Sequence, residues 1–325
     1  MKLRLLTGND VRQCLQMPRA IDLMAKAFAA LSSGQVSVPP RTKIASDAGT
    51  MLYKPALSSQ SGIYVVKAVS VFPGNVALQL PVTTGLLLVN DASTGLPLAL
   101  MDAEYLTALR TGAASGLACR LLADAKITKA ALFGAGGQAG QQLAAMLATL
   151  PLEVVFVFSR KIESAERFCR EQAANAGHSR LIPNPDRNEL KSCGVICTAT
   201  TSQTPVFSDD ELGPGVHING VGSFAPTMAE VPAATVCRAT VIVDQREACL
   251  GEAGDLRQPI EQGLLPADFH PAELGEVVLR TATGRRSPDE VTFFKSVGNA
   301  VQDLYCATEI LRRAEQDEVG TTIVL

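Results

Sequence analysis

A glycine-rich stretch, ALFGAGGQAGQQLAAML at residues 130–146, constrains the fold of this chain more than any other feature. An apolar, strand-like run precedes the glycines and a run of good helix formers follows them. In a strand–turn–helix unit of this kind, Gly134 makes the tight turn, Gly136 lets a pyrophosphate approach the backbone, and Ala139 is small enough for close helix–strand packing. The stretch therefore predicts a dinucleotide-binding turn.

The end of the next strand indicates which dinucleotide is bound. The run EVVFVF ends at Phe158 and is followed by Ser159 and Arg160, which occupy the place that contacts the adenosine ribose. A carboxylate there would accept a hydrogen bond from the 2′-hydroxyl of NAD, whereas a hydroxyl and a guanidinium suit a 2′-phosphate. The sequence therefore favours NADPH, with NADH as the second possibility.

The alternation of elements predicts an α/β fold with two domains. Strands and helices alternate over residues 129–245, which predicts a Rossmann-type doubly wound parallel sheet. Earlier, a helix is predicted over residues 7–33, followed by apolar and β-branched runs that predict a mixed sheet. A length of 325 residues suits two domains. We predict a smaller mixed α+β domain over 1–112, with a C-terminal helix at about 300–325 packing back on it, and a dinucleotide-binding domain over 113–299.

Composition and charge argue against several function classes. Hydrophobic residues make up 47% of the chain and charged residues 19%, as in a folded globular protein. A net charge of −3 without any basic run argues against nucleic-acid binding. The N-terminal residues lack the apolar core of a signal peptide, and no apolar window is long enough to span a membrane, so we expect a cytoplasmic location. Eight scattered cysteines and three histidines predict neither a disulfide framework nor a metal site.

Three basic residues of the first domain lie in settings that suggest an anion site. Lys67 lies inside the apolar run YVVKAVS, where a buried cation is costly unless it meets an anion or acts as an acid. Arg41 follows a proline pair, and Arg110 lies on a helix predicted over residues 103–123. Each of the three could instead be a salt-bridged surface residue, but the apolar neighbours of Lys67 set it apart. Asp303, near the last helix, is either a supporting partner of the site or an exposed carboxylate.

Four blocks together resemble the ornithine cyclodeaminase and mu-crystallin family: MDAEYLTALRTGAASGLA, FGAGGQA, VICTATTSQTPVF and VTFFKSVGNAVQDL. The resemblance runs over nearly the whole chain. It implies a sheet domain that binds substrate and usually forms a homodimer, and a Rossmann domain that holds NAD(H) or NADP(H). It also implies that Arg41, Lys67 and Arg110 hold the substrate carboxylate and face its imine.

The resemblance also assigns residues to the cofactor site. The phosphate-binding segment of the family is matched by Thr111, Gly136, Gln138 and Ala139. The residues that surround the nicotinamide half are matched by Thr198, Ala199, Thr200, Val221 and the turn from Ser296 to Gly298. The predicted cofactor site consists of these residues together with the three named above. Its members are Thr111, Gly134, Gly136, Gln138, Ala139, Ser159, Arg160, Thr198, Ala199, Thr200, Val221, Ser296 and Gly298.

One departure from the family pattern separates its activities. Cyclodeaminases and alanine dehydrogenases of the family carry an aspartate in the segment that reads NGVGSFAPTMAEV here, where the matching position is Phe224, preceded by Ser223. A phenylalanine neither takes a proton nor orients an amine, so ornithine cyclisation is disfavoured. The segment resembles that of the ketimine reductases, which reduce Δ1-pyrroline-2-carboxylate to L-proline and the piperideine analogue to L-pipecolate.

The substrate site predicted on this basis consists of Arg41, Lys67 and Arg110, which are also the catalytic candidates, and Ser223. Lys67 is the candidate that supplies or holds the proton that the imine nitrogen requires. Three alternatives remain open: an alanine dehydrogenase, an ornithine cyclodeaminase, and a non-catalytic protein that binds NADPH and a small carboxylate as mu-crystallin does. The presence of all three basic residues favours catalysis over storage.

Overall fold

The structure is a computed structural model and describes residues 2–324, so Met1 and Leu325, the end residues of the predicted ranges, lie outside it. The chain forms two compact units. Unit 1 comprises Met1–Arg110 and Asn299–Leu325, and unit 2 comprises Thr111–Gly298. The boundary between them falls within a long helix, Ala103–Leu122.

The described chain contains both strands and helices throughout its length. The strands are β1 (Lys2–Leu6), β2 (Thr42–Ala45), β3 (Thr50–Ser58), β4 (Ile63–Val71), β5 (Thr83–Asp91), β6 (Pro97–Asp102), β7 (Lys129–Phe133), β8 (Val154–Phe158), β9 (Arg180–Pro183), β10 (Val195–Thr198), β11 (His217–Gly220), β12 (Thr240–Val243), β13 (Ala272–Glu273), β14 (Thr292–Lys295) and β15 (Thr321–Val324). The helices are α1 (Gly8–Cys14), α2 (Met17–Ser32), α3 (Ala103–Leu122), α4 (Ala139–Thr149), α5 (Ile162–Gln172), α6 (Ala233–Arg238), α7 (Arg246–Glu252), α8 (Gly254–Glu261), α9 (Leu274–Val278) and α10 (Ala300–Gln316).

Unit 1 is built on a mixed sheet with the strand order β15-β1-β6-β5-β4-β3-β2. Only β1 and β6 pair in parallel; the other neighbours are antiparallel. Helix α10 packs on α2 and covers β3 and β4. Burial alternates along β4, so that Ile63, Val65 and Lys67 are buried while Tyr64 and Val66 are exposed. Lys67 is thereby placed on the covered face of the sheet.

The predicted continuous helix over residues 7–33 was wrong, because the segment forms two helices. The first ends where Leu15 adopts an extended backbone, and the second carries Pro18 in its first turn. Proline is tolerated there because its missing N–H would have no helical partner. In one continuous helix, Pro18 would remove the hydrogen bond to Cys14 and clash with that carbonyl.

The predicted last helix is present as α10, but the remainder of the range predicted to about residue 325 is not helical. Helix α10 ends at Gln316, after which Glu318 and Gly320 take left-handed backbone conformations with φ of 55° and 86°. The β-branched residues that follow form β15, which pairs antiparallel with β1.

Unit 2 is a fully parallel sheet with the strand order β13-β12-β14-β11-β10-β7-β8-β9. From β7 the chain moves outward through β8 and β9, and it then returns to place β10 on the other side of β7. Ligands of such sheets bind beyond the carboxyl ends of the strands where the order reverses, which here is the edge formed by β7 and β10. The predicted fold class, a Rossmann-type doubly wound sheet with a smaller mixed α+β part, is confirmed.

Two further predictions concern the whole chain. No helix within residues 2–324 is both long and apolar enough to cross a bilayer. The eight cysteines are all free thiols, and five of them are buried.

Candidate active site

The glycine turn after β7 has the geometry that its sequence predicts. Gly134 has φ of 111°, and a Cβ there would lie 2.4 Å from the carbonyl oxygen of Ala199, so the position requires glycine. A Cβ on Gly136 would meet no atom within 4 Å, so the backbone at this point is open to a ligand. Helix α4 begins at Ala139, and its first N–H groups have no helical partner. These features fit a bound pyrophosphate.

Gln138 adds an unmet polar group to the same turn. It precedes the first residue of α4, and its side chain does not cap the helix. Its Oε1 atom is buried and accepts no hydrogen bond from the described residues. Because a buried acceptor without a donor is costly, a ligand hydroxyl or amide at this place would be stabilised. The phosphate-binding part of unit 2 therefore fits a dinucleotide.

Asn184 holds the backbone that follows β8. Its Oδ1 accepts from the N–H of Ser159 at 2.7 Å, and its Nδ2 donates to the carbonyl of Ser159 at 2.8 Å. The Ser159 hydroxyl itself forms no hydrogen bond within residues 2–324 and is left for a ligand. Arg160 and Lys161 are exposed beside it, so the turn presents one hydroxyl and two cations.

Glu230 joins the loops that follow β10 and β11. Its Oε1 accepts from the backbone N–H of Thr200 at 2.6 Å and from its hydroxyl at 2.8 Å. Its Oε2 accepts from the hydroxyl of Thr198 at 3.0 Å and from the N–H groups of Gly222 and Ser223 at 2.7 and 3.1 Å. Burial raises the pKa of this carboxyl, and the buried Lys295 opposes that rise. One side chain thus fixes both loops at the carboxyl edge of the sheet.

Asp244 plays the same part for the turn after β14. It directly follows β12, and its Oδ2 accepts from the Ser296 hydroxyl at 2.7 Å and from the N–H groups of Val297 and Gly298 at 3.1 and 2.7 Å. Gly298 has φ of 80°, a conformation that favours glycine. The turn that the resemblance assigns to the nicotinamide is therefore held rigidly by a buried carboxylate.

The remaining predicted cofactor residues also lie in unit 2. Thr111 is its first residue and is buried on α3. The N–H of Ala199 donates to the carbonyl of Phe133 at 2.8 Å, and the N–H of Val221 donates to the carbonyl of Thr198 at 3.0 Å, which extends the pairing of neighbouring strands into their loops.

Ser223 and Phe224 differ sharply in environment. Ser223 is fully buried, and its hydroxyl donates to the carbonyl of Met228 at 2.9 Å while accepting from the N–H of Asp255 at 3.3 Å. The hydroxyl proton is thus engaged within the protein. Phe224 is 51% exposed, which is high for a large apolar side chain. The substrate-binding role assigned to Ser223 stays a prediction.

Unit 1 brings Lys67 and Arg110 together on one carboxylate. Asp303 Oδ1 accepts from Lys67 Nζ at 2.8 Å and from Arg110 Nε at 3.2 Å. Lys67 also donates to the hydroxyl of Thr107 at 3.0 Å, and Arg110 Nη1 donates to Oε1 of Gln302 at 2.7 Å. Lys67 and Asp303 are almost completely buried, and Arg110 is 4% exposed.

The charges in this cluster are strongly coupled. Burial lowers the pKa of Lys67 to about 8, with Arg110 and Arg41 acting in the same direction and Asp303 against it. Burial raises the pKa of Asp303, but Lys67 and Arg110 outweigh it, so that the pKa lies below its usual value. Lys67 is therefore a cation that can release its proton near neutral pH.

Arg41 acts on this cluster from the chain segment just before β2. It is half-buried, and its charge lowers the pKa of both Lys67 and Lys54. Unit 1 therefore gathers the three basic residues that the sequence predicts for the substrate, whereas Ser223, predicted with them, lies in unit 2.

Glu230 and Asp244 were not predicted as site residues, whereas Asp303 was predicted as either a supporting partner or an exposed carboxylate, and its burial against Lys67 supports the first alternative. For Asp303 a signal was available, because it occupies the helical stripe of Ala300 and Ala307, both of which are buried. A charge in an apolar stripe requires a buried partner. Asp244 likewise ends an apolar strand of a parallel sheet, where functional side chains gather. No local pattern indicates the five hydrogen bonds of Glu230.

Comparison with known proteins identifies relatives over the whole length of the chain. Residues 1–318 match the profile of the ornithine cyclodeaminase/mu-crystallin family. A Δ1-pyrroline-2-carboxylate reductase of Bacillus cereus is 34% identical over 321 residues, which cover 98% of each protein. The structure of Thermococcus litoralis Δ1-pyrroline-2-carboxylate reductase in complex with NADH and L-proline is 34% identical, with a TM-score of 0.93 over 98% of this chain and 100% of that one. An archaeal alanine dehydrogenase dimer with bound NAD is 29% identical, with a TM-score of 0.93 over both full chains.

Proposed function

The chain belongs to the ornithine cyclodeaminase/mu-crystallin family, and we propose that it is an NAD(P)H-dependent ketimine reductase that converts Δ1-pyrroline-2-carboxylate to L-proline. The six-membered Δ1-piperideine-2-carboxylate would give L-pipecolate in the same way. The observation that carries the proposal is the buried cluster of Lys67 and Arg110 on Asp303, in a chain that resembles reductases of this substrate over its whole length. The family resemblance inferred from four sequence blocks is confirmed.

Unit 1 supplies the groups that bind the substrate carboxylate. A guanidinium has five N–H donors, and Arg110 gives one to Asp303 and one to Gln302, so three are left for a ligand. Arg41 adds a second guanidinium to the same neighbourhood. Paired N–H donors of this kind bind a carboxylate tightly and in a defined orientation, which orients the imine carbon attached to it.

Lys67 supplies the proton. When bound, the reduced nicotinamide provides a hydride to the imine carbon. The π electron pair of the C=N bond then passes to nitrogen, which must take up one proton to become the amine. Lys67 has three N–H donors, of which Asp303 and Thr107 accept two, so the third is left for the imine nitrogen. Its pKa of about 8 suits a donor that is protonated at neutral pH and that releases its proton readily.

Phe224 distinguishes this reaction from those of other family members. An exposed aromatic ring stands where an aspartate would orient ammonia or an amine nucleophile. The position therefore offers no group that accepts a proton from such a nucleophile. A preformed cyclic imine needs no nucleophile, so its reduction is the reaction that this chain can support.

The test is oxidation of NADPH by the purified protein, followed by the absorbance of the reduced nicotinamide. Four mixtures are compared: Δ1-pyrroline-2-carboxylate, Δ1-piperideine-2-carboxylate, pyruvate with ammonium, and L-ornithine. We expect rapid oxidation with the two cyclic imines alone. Binding of NADPH without its consumption by any imine would reject the proposal in favour of a non-catalytic protein, and ammonia released from L-ornithine would reject it in favour of a cyclodeaminase.

We expect NADPH to be preferred over NADH because of Ser159 and Arg160. The Ser159 hydroxyl and the exposed Arg160 and Lys161 present donors and positive charge to a 2′-phosphate. Substitution Ser159→Asp should lower the ratio of kcat/KM for NADPH to that for NADH by roughly a hundredfold, since a carboxylate repels the phosphate and accepts from the 2′-hydroxyl. Arg167→Gln, at an exposed arginine of α5, is the matched control and should leave the ratio unchanged. An unaltered ratio in the Ser159 variant would contradict this assignment.

Unit 1 is proposed to form a homodimer through the uncovered face of its sheet. Tyr64, Val66 and Leu86 lie on that face with exposures of 42%, 37% and 52%. A contiguous exposed apolar face marks an interaction surface, and an alanine dehydrogenase of similar fold is a dimer. The double substitution Val66→Glu and Leu86→Glu should convert the dimer to a monomer in sedimentation velocity experiments. Leu264→Glu, at an equally exposed leucine of unit 2, should not. A monomeric unmodified protein would contradict the proposal.

A further inference from the structure

Lys54 is a buried charged residue to which the proposed mechanism gives no role. It lies on β3 directly opposite Lys67 on β4, because the two Cα positions are partners in the antiparallel ladder. Directly opposed residues of such a ladder project from the same face of the sheet. Two lysine side chains therefore share one covered face, and charging both destabilises the sheet unless an anion compensates them.

The two lysines differ in their hydrogen-bond partners. Lys67 is 1% exposed and donates to Asp303 and Thr107. Lys54 is 8% exposed, yet its Nζ forms no hydrogen bond or ion pair within residues 2–324. Lysine is almost never this deeply buried without a partner.

Most of the charged groups that shift the pKa of Lys54 are cations. Burial holds its pKa well below the usual range, and three neighbouring cations act in the same direction, opposed by the single carboxylate of Asp303. An anion between these groups would raise the pKa of Lys54 and so oppose the effect of the cations. The three cations are Lys67, Arg41 and Arg110.

Gln302 identifies the kind of anion that would fit. Its Oε1 accepts from Arg110, but its Nε2 is buried and donates to no acceptor among the described residues. An anion that accepts hydrogen bonds would satisfy both this N–H donor and the neighbouring cations. A carboxylate meets both needs, because its two oxygens offer about four acceptor positions.

We propose that Lys54 is a further substrate-binding residue, whose ammonium pairs with the substrate carboxylate from the same face of the sheet as Lys67. The inference rests on the proposed function, since the carboxylate is that of the cyclic imine. Lys54 selects for an ionised carboxylate over a neutral group of the same shape, because only the anion compensates the two opposed lysines.

The test compares a carboxylate with its neutral analogue. Binding of pyrrole-2-carboxylate and of pyrrole-2-carboxamide to the full-length protein is measured by calorimetry in the presence of NADP⁺. Neither ring carries a reducible imine. Lys54→Met should weaken binding of the carboxylate roughly ten- to a hundredfold, the range for a charge-assisted hydrogen bond, and that of the carboxamide less than about threefold. Lys43→Met, at an exposed lysine of the adjacent strand β2, should alter neither.

A structural role and a binding role predict different results. If Lys54 only packs, the Met variant will lose affinity equally for both ligands or for neither, and the proposal is then overturned. In turnover, KM for the imine should rise by a larger factor than kcat falls. Lys54→Gln serves as the second variant if the first does not fold. If no imine is reduced while carboxylate binding still depends on Lys54, the proposed reaction fails and the anion site stands.

Discussion

Substitution Lys67→Met is expected to lower kcat for imine reduction by about a thousandfold and to leave the affinity for NADPH unchanged. Methionine keeps an unbranched chain of similar length, but it cannot donate a proton to the imine nitrogen. General acid catalysis by a positioned group contributes roughly 10²- to 10⁴-fold, and Lys67 also contributes charge beside the substrate carboxylate. The residues proposed to bind the cofactor lie in unit 2, so the dissociation constant of NADPH, measured by fluorescence, should not change.

The pH profile separates the acid role of Lys67 from a role in packing. Because its pKa is about 8, kcat/KM for reduction should be constant at lower pH and fall about tenfold per unit above it. Lys67→Arg keeps the charge at every accessible pH and should show low activity without this inflection. An inflection that persists in the arginine variant would belong to the substrate imine.

Lys43→Met is the control for the Lys67 substitution. It removes an exposed ammonium from the neighbouring part of the same sheet and should retain full activity. Turnover of Lys67→Met within tenfold of the unmodified protein would remove Lys67 from the reaction. The carboxylate-binding function of the cluster would then rest on Arg110 and Arg41.

The fold was predictable where local pattern and tertiary structure agree. The alternation of β7, α4, β8 and α5 follows from apolar runs separated by glycine and polar residues, and the sheet order obeys the reversal typical of dinucleotide-binding folds. The break near Pro18 was missed, although the sequence contained the signal for it. The helical periodicity continues on both sides of a proline that cannot lie inside a helix without interrupting it. Strand β15 was not predictable in this way, since its pairing with β1 joins the two ends of the chain.

The sequence singled out the cations of the proposed substrate site, but left open whether Asp303 was their partner or an exposed carboxylate. Lys67 stood out because a charge in an apolar strand needs an explanation, and Arg110 followed from the resemblance. Asp303 lies 236 positions from Lys67 along the chain, so no sequence spacing brings the two together. The same holds for Lys54, whose importance depends on its register opposite Lys67. The pairing of Asp303 with Lys67 and the register of Lys54 became apparent only with the three-dimensional arrangement.

Substitution Asp303→Asn should both destabilise unit 1 and suppress activity. The carboxylate is fully buried and is the acceptor shared by Lys67 and Arg110. Removing one partner of a buried ion pair leaves an uncompensated charge and costs about 3–5 kcal/mol. The free energy of unfolding in urea should fall by about this amount at neutral pH. Because Lys67 and Arg110 hold the pKa of Asp303 below the usual carboxyl value of 3.8, the stabilisation is present above that value and is lost as the pH falls through the lower pKa of the folded protein. The difference between the two proteins should therefore shrink in acid.

In the Asp303→Asn variant the pH dependence of activity should shift, which loss of packing alone does not predict. Asp303 raises the pKa of Lys67 against the effect of burial, so the asparagine variant should move the inflection of the kcat/KM profile below about pH 8. At neutral pH a larger share of Lys67 would then be neutral, and reduction should slow at a pH where the unmodified protein is fully active. Glu315→Gln, at an exposed acid of the same helix, is the matched control and should alter neither stability nor the profile. If the inflection stays at its original pH while the protein loses stability, Asp303 is a structural residue only. The pKa of the proton donor would then be set by burial and by the neighbouring cations.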